Sequence, residues 1–188
     1  MADVFDVANY ILEISQNDSG DEEFVLITHM QLQKLVYFCQ GYYLALQGSP
    51  LFNETIEAWD HGPVCPKLYQ SLKRYGPSPI TSSVDPEKIQ LNEKERAIIN
   101  MVYDAYSQYS ASYLRKITHN EGPWKITRPR TEITKYAMSQ YFESLVEVDP
   151  SNIAPSTDEE KGELLKILEQ VEANGGIDLS RFCVPMGA

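Results

Sequence analysis

The chain has 188 residues, of which 43% are hydrophobic, and this length and composition are typical of one domain with one core. Its formal net charge of −11 would repel a nucleic-acid backbone, except along residues 115–135, which hold six basic and two acidic residues against 10 basic and 25 acidic residues elsewhere. The three cysteines form no CxxC pair and no apolar run is long enough to span a bilayer, so we expect a protein of the reducing cytoplasm without membrane association.

The first two predicted helices are amphipathic. Asp3 can cap a helix whose apolar residues recur with the spacing of one buried face, and a polar, turn-rich loop follows it. Thr28 and Gln31 then form a capping box for a second helix, which ends at Gly48 and is apolar over an unusually wide face rich in aromatic residues. Apolar residues on so much of its surface predict that this helix lies at the centre of the fold, with neighbours on more than one side.

A short strand and a sharp turn are predicted next. Residues 52–59 alternate between polar and apolar types in the pattern of a strand. Gly62 can adopt backbone angles closed to other residues, and Pro63 fixes its own φ angle, so the pair predicts a reversal of the chain. Pro66 suits the first turn of the helix that follows, and Gly76 is placed to end that helix.

The second half of the chain is predicted to be mostly helical. After a Pro/Ser-rich connection that can hold a short strand near Ile80, Asn92 and Ser110 cap two helices, and a further helix begins at residue 131 or 132. The fold class is therefore mainly α, a compact helical domain around the central aromatic-rich helix with a small β element. We expect this domain to cover residues 1–150, and residues 151–188 to form an acidic helix and tail docked on it.

Two similar turns carry the residue types that could perform chemistry. The segment DHGPVCP is echoed by THNEGPW, in which a His again precedes Gly-Pro and a Trp lies next to it. His61, His119 and Glu121 could serve a hydrolase, but the sequence holds no HExxH motif, nucleophile elbow or phosphate-binding glycine loop. We therefore predict no enzyme, cofactor or metal site. Instead we expect His61 to be buried and to hold its turn by a hydrogen bond, while Trp59 packs with it against the central helix.

Three segments together resemble a known family: LQKLVYFCQGYYLALQGSPLF, EAWDHGPVCPKLY and THNEGPW. They resemble the Panacea domain of antitoxins, a family that includes phage-associated GepA-like proteins, in matching order from about Val4 to Phe142. The matching motif positions, which are candidates for holding the turns or for binding a partner, are Gln33, Lys34, Tyr37, Gln40, Trp59, His61, Gly62, Pro63, Val64, Tyr69, His119, Pro123 and Trp124.

The resemblance implies a function as well as a fold. It implies a mostly helical, cytoplasmic, non-enzymatic protein that neutralises a cognate toxin by direct protein–protein binding, and one branch of the family also delivers its toxin to a Clp-type protease. It specifies neither which mode applies nor the oligomeric state. Two alternatives stay open: a phage or mobile-element hydrolase that uses His61, His119 and Glu121, and a DNA-binding regulator that uses residues 115–135, the latter disfavoured by the acidic remainder of the chain.

Overall fold

A computed structural model describes residues 1–17, 27–81 and 86–147. Within these ranges seven α-helices pack with one two-stranded antiparallel sheet, which confirms the predicted fold class. The elements are α1 (Val4–Asn17), α2 (His29–Gln47), β1 (Glu57–Trp59), β2 (Gly62–Val64), α3 (Pro66–Leu72), α4 (Glu93–Tyr106), α5 (Ala111–Asn120), α6 (Gly122–Ile126) and α7 (Lys135–Glu147). None of these helices is long and apolar enough to cross a membrane. The predicted C-terminal helix and tail lie outside the described residues.

The helix α2 occupies the centre of the fold, as its wide apolar face predicts. It begins with the predicted capping box, in which Thr28 Oγ1 accepts from the Gln31 backbone and Gln31 Oε1 accepts from the Thr28 backbone. It ends at Gly48, whose left-handed backbone (φ 63°) suits glycine. Between these caps α2 contacts α1, α3, α4, α5, α7 and β2. A long helix with local start and stop signals thus becomes the scaffold for the other elements.

Aromatic rings fill the contact between α2 and α7. The Phe142 ring of α7 lies 5.6 Å from that of Tyr37, 4.9 Å from that of Tyr42 and 5.3 Å from that of Tyr141, each in an edge-on arrangement that favours attraction between rings. Gly41 makes this approach possible, because a Cβ atom there would lie 2.2 Å from the Phe142 ring. The two helices therefore approach closely at a position where α2 has no side chain.

The buried Gln40 side chain joins α2 to the loop that follows it. Its amide nitrogen donates to the Phe52 carbonyl at 2.9 Å, and its oxygen accepts from the backbone nitrogens of Leu51 at 2.9 Å and Phe52 at 3.2 Å. A fully buried amide with both ends hydrogen-bonded costs little to bury and holds an irregular backbone segment in place. Gln40 is thus a structural residue of the core.

The β element differs from its prediction. The strand predicted over residues 52–59 is confined to Glu57–Trp59, and a second strand, Gly62–Val64, forms where the sequence predicts only a turn. The two strands make a hairpin in which Glu57 pairs with Val64 and Trp59 pairs with Gly62. The second strand is not predicted because Pro63 lies at its centre. A residue without an N–H group cannot donate to a neighbouring strand, so proline argues against a strand except at the edge of a sheet.

A third segment of backbone bonds to the other edge of the hairpin. Arg130 N donates to Ala58 O (2.7 Å), Ala58 N donates to Thr131 O (3.0 Å), and Ile133 N donates to Ile56 O (2.8 Å). These bonds keep residues 130–133 out of a helix, so α7 begins at its Lys135 and not at residue 131 or 132 as predicted. Bonding to a strand distant in sequence outweighed the local helix-start signal.

The remaining boundaries follow their local signals closely. Asn92 forms a capping box with Glu95 at the start of α4, and Ser110 caps α5, both as predicted. The helix α3 has its Pro66 in the first turn and passes into a short 3-10 turn before Gly76. Near Ile80 the chain forms an isolated bridge to the residues before α2, not a strand.

Gly41→Ala should destabilise the fold. A Cβ atom 2.2 Å from a ring held by its aromatic neighbours forces α2 and α7 apart, and we expect a loss of about 1 to 3 kcal/mol in the free energy of unfolding. Gly122→Ala is the matched control, because its nearest neighbour, Tyr141, would lie 3.7 Å away. Urea unfolding of both variants measures the difference, and equal midpoints would contradict the close contact.

Candidate functional site

The tip of the hairpin, Asp60–His61, is the centre of the candidate site. It leads directly into Gly62, whose φ of 95° is rarely adopted by residues with side chains. A Cβ atom at Gly62 would also lie 2.8 Å from Thr118 Oγ1 and 2.9 Å from Lys34 Nζ. Gly62 is therefore required twice, for its backbone angle and for the close approach of two buried side chains.

Two side chains of α2 hold the second strand of the hairpin from beneath. Lys34 Nζ donates to the Pro63 carbonyl at 2.8 Å, and Gln33 Oε1 accepts from the Cys65 backbone at 2.8 Å. Both side chains are buried. Irregular buried backbone needs such partners, because an unpaired polar group away from water costs about 1 to 3 kcal/mol. These two motif positions therefore hold the turn.

The second turn motif holds the first one from the side. His119 Nε2 contacts the Asp60 carbonyl at 3.1 Å while Nδ1 contacts the Arg115 carbonyl at 2.6 Å, and Trp124 Nε1 donates to the Trp59 carbonyl at 3.1 Å. The His119 and Trp124 rings pack edge-on, with centroids 4.0 Å apart. Carbonyl oxygens only accept, so the ring donates to both contacts when both of its nitrogens carry protons. The two turns are thus mutually packed.

His61 does not take part in this packing. Its side chain is exposed and has no hydrogen bond, ion pair or ring contact among the described residues, so the prediction of a buried, turn-holding ring is wrong. The physical reason is that the tip carbonyl of Asp60 is already bonded by His119 and, at 3.5 Å, by Arg115. His119 performs the role that the sequence assigned to His61.

The remaining motif residues pack around the hairpin. The half-buried Trp59 ring lies 4.9 Å from the Tyr69 ring and 5.8 Å from the Arg130 guanidinium, and its Nε1 donates to the Glu57 carboxylate at 2.8 Å. Tyr69 in turn lies 4.9 Å from the His29 ring. Val64 and Pro123 are buried, Val64 in β2 and Pro123 in the first turn of α6. Trp59 is therefore fixed through its ring, its N–H group and its carbonyl.

Residues outside the predicted set complete the site. Thr118 is fully buried beneath Gly62, and its hydroxyl donates to the Arg115 carbonyl at 3.0 Å. Arg130 adopts a left-handed backbone (φ 61°) and its guanidinium lies 3.7 Å from the Asp60 carboxylate. The sequence shows Thr118 only as part of the second motif, and nothing in it marks the backbone of Arg130.

A buried cluster of ionisable groups lies under the hairpin. Burial lowers the pKa of Lys34 to about 7, with the Arg115 charge acting in the same direction and Glu121 opposing it. Burial raises the pKa of Glu121 to about 7, against the influence of the Tyr37 hydroxyl and Lys34. Within the described residues, neither Glu121 Oε2 nor the Tyr37 hydroxyl has a partner at full hydrogen-bond geometry. Burial therefore disfavours the charged form of both Lys34 and Glu121.

The three residues of the hydrolase hypothesis occupy different environments. His61 is exposed at the hairpin tip, His119 contacts two carbonyls, and the Glu121 carboxyl is buried next to Lys34. Among the described residues no group of three His, Cys, Asp or Glu side chains could hold a metal ion. The arrangement supports holding a hairpin, because the hydrogen bonds from Lys34, His119 and Trp124 all end on hairpin carbonyls.

The two histidines should differ in their effect on stability. His119→Ala removes the contacts to two carbonyls and should cost about 1 to 3 kcal/mol, whereas His61→Ala should change the free energy of unfolding by less than about 0.5 kcal/mol. Thermal melts of the two variants beside the wild type test this assignment. If His61→Ala lowered the stability more than His119→Ala did, His61 would be the residue that holds the turn.

Glu121→Gln should change how stability depends on pH. Because burial raises the pKa of Glu121 to about 7, its contribution to stability is complete below about pH 4.5 and is lost as the pH rises to about 7. From about pH 5 to about pH 7 the wild type should therefore lose up to about 3 kcal/mol relative to the Gln variant. Urea unfolding at both pH values measures this, and a pH-independent difference between the two proteins would contradict it.

Comparison with known proteins assigns the chain to a family. The family model described as "Antitoxin SocA-like, Panacea domain" matches residues 32–125, a range that includes most of α2, the hairpin and the second turn motif. Antitoxin SocA of Caulobacter vibrioides (strain NA1000 / CB15N) is 32% identical over 136 residues, which cover 64% of this chain and 67% of that protein. No solved structure matches the chain. These matches confirm the resemblance of the motifs, and the chain belongs to the family of SocA-like antitoxins with a Panacea domain.

Proposed function

We propose that the chain neutralises a cognate toxin by binding it directly, without catalysing a reaction. The observation that carries this proposal is the combination of family membership with a firmly held hairpin whose tip leaves one motif residue, His61, exposed and unpartnered within the described residues. A motif side chain that contributes nothing to its own fold is free to contact another molecule.

The hairpin suits a binding surface because its backbone is held before any partner arrives. Side chains of Lys34, Gln33, His119 and Trp124 bond to it from two helices and a short helical turn, and the segment around Thr131 pairs with its open edge. A surface ordered in advance loses little conformational entropy on binding, which raises affinity without any additional contact. We therefore assign turn-holding to these motif residues and partner contact to His61.

We place this activity in the cytoplasm, where a toxin encoded beside the chain would be made. The two described cysteines, Cys39 and Cys65, are free thiols, as is usual in a reducing compartment. Delivery of the toxin to a Clp-type protease would begin with the same binding step. Inhibition and delivery therefore use the same proposed binding site, and the half-life experiment below distinguishes them.

Co-expression with each neighbouring open reading frame tests the proposal. We expect one frame to arrest growth when it is induced alone and to be tolerated when the chain is present, and its product to co-elute with the chain in size-exclusion chromatography. If no neighbouring frame is toxic, or if the chain protects without forming a complex, direct neutralisation is wrong.

The half-life of the toxin separates inhibition from delivery. An inhibitor leaves the toxin at an unchanged or longer half-life, whereas an adaptor shortens it in cells with an active Clp-type protease and not in cells without one. A pulse-chase measurement in both strains decides between the two modes, with His119→Ala as a control for effects that arise from loss of stability alone.

A further inference from the structure

Basic side chains gather around the hairpin tip of an otherwise acidic protein. All five are exposed, and we call them the basic face: Arg115, Lys116, Lys125, Arg128 and Arg130. Arg115, which Lys116 follows, and Arg130 both contact Asp60 at the tip. Lys125 follows the Trp124 that bonds to Trp59, and the Arg128 carbonyl accepts from Thr131, which pairs with Ala58 of the hairpin. The five cations, which come from α5, α6 and the segment after α6, thus flank the hairpin.

Several of these cations have no internal role. Lys116, Lys125 and Arg128 have no side-chain hydrogen bond or ion pair among the described residues, so no described carboxylate neutralises them. The ion pair between Arg130 and Asp60 is long, at 3.7 Å, and both side chains are mostly exposed. Such a pair is worth little to stability and can exchange its partner readily.

The backbone at this surface is held in an uncommon conformation. Arg130 is the one residue other than glycine with a positive φ in the described ranges, at 61°. Its N–H group bonds to the Ala58 carbonyl, and its guanidinium lies over the Trp59 ring. Strained residues persist where surrounding contacts fix them, and they concentrate at binding sites. Arg and Trp are also the residue types that most often dominate protein interfaces.

An apolar side chain lies in the same stretch. Ile126 directly follows Lys125 and is 77% exposed, the highest value among the exposed large hydrophobic side chains of the described residues. A surface of this composition fits an extended acidic segment that carries an apolar residue. A long polyanion such as DNA fits less well, because the chain outside residues 115–135 holds 25 acidic and 10 basic residues.

We propose that His61 and the basic face form the docking surface for an acidic segment of the partner protein. This inference rests on the proposed function for the identity of that partner as the toxin. The charges accelerate association and orient the segment, while His61, Trp59 and Ile126 supply short-range contacts. The firmly held hairpin keeps the surface in one conformation in the free chain.

A charge-reversal variant tests the surface. Lys116→Glu, Lys125→Glu and Arg128→Glu change three unpartnered side chains together, and the thermal melt should stay close to that of the wild type. The control variant carries Lys73→Glu, Arg74→Glu and Lys94→Glu, an equal change of charge in the 3-10 turn after α3 and in the first turn of α4. Net charge is therefore the same in both.

Two probes are titrated against the wild type and both variants. The first is a fluorescein-labelled Glu-rich peptide with a central Leu, followed by anisotropy at low salt, and the second is the toxin found by co-expression. The basic-face variant should bind each at least about tenfold more weakly, and the control variant should bind within about twofold of the wild type. His61→Ala should weaken toxin binding without lowering the melting temperature.

The outcomes separate the two proposals. If a toxin is found and the basic-face variant binds it as tightly as the wild type, the docking surface is wrong while the antitoxin function stands. If no toxin is found, the proposed function fails, and the peptide titration still decides the surface. Absence of peptide binding by the wild type, or tighter binding of a DNA duplex than of the peptide at the same salt, overturns the assignment to an acidic protein segment.

Discussion

The bond from the Lys34 amine to the Pro63 carbonyl is the interaction on which the candidate site depends. Removing an ammonium group from water is costly, and this one is fully buried in the second turn of the central helix. The bond gives a partner to a carbonyl that the hairpin would otherwise bury without one. It also requires Gly62 beside it, because any side chain there would occupy the space of the amine. One contact therefore links the position of the central helix, the shape of the hairpin and the presentation of its tip.

The elements that could be predicted from the sequence are those with local causes. The caps of α2, α4 and α5 lie where Thr28, Asn92 and Ser110 predict them, because a side chain that bonds to backbone two or three residues later needs no distant partner. The central position of α2 follows from its wide apolar face in the same way. Membership of the family follows from the order of three motifs, which also requires no knowledge of distances.

The features that could not be predicted depend on contacts between distant parts of the chain. The late start of α7 arises because the backbone near Thr131 bonds to Ala58. The second strand pairs with β1, and Lys34 of the central helix bonds to its backbone. Each turn motif contains a His shortly before a Gly-Pro pair, so composition cannot tell which ring reaches across to the other turn. That choice depends on geometry, and it separates His61, which is available for contact, from His119, which holds the turn.

The same long-range bonding has a consequence for the order of events during synthesis. The hairpin is made early, but its edge partner Thr131 and its side partners His119 and Trp124 are made roughly sixty to seventy residues later. A nascent chain that still has these residues inside the ribosome holds the hairpin only through α2 and α3. The complete surface exists only after most of the domain has emerged, because non-local contacts form only when both partners are present. A premature stop before that point would leave a fragment that contains the central helix and the hairpin without its lateral supports.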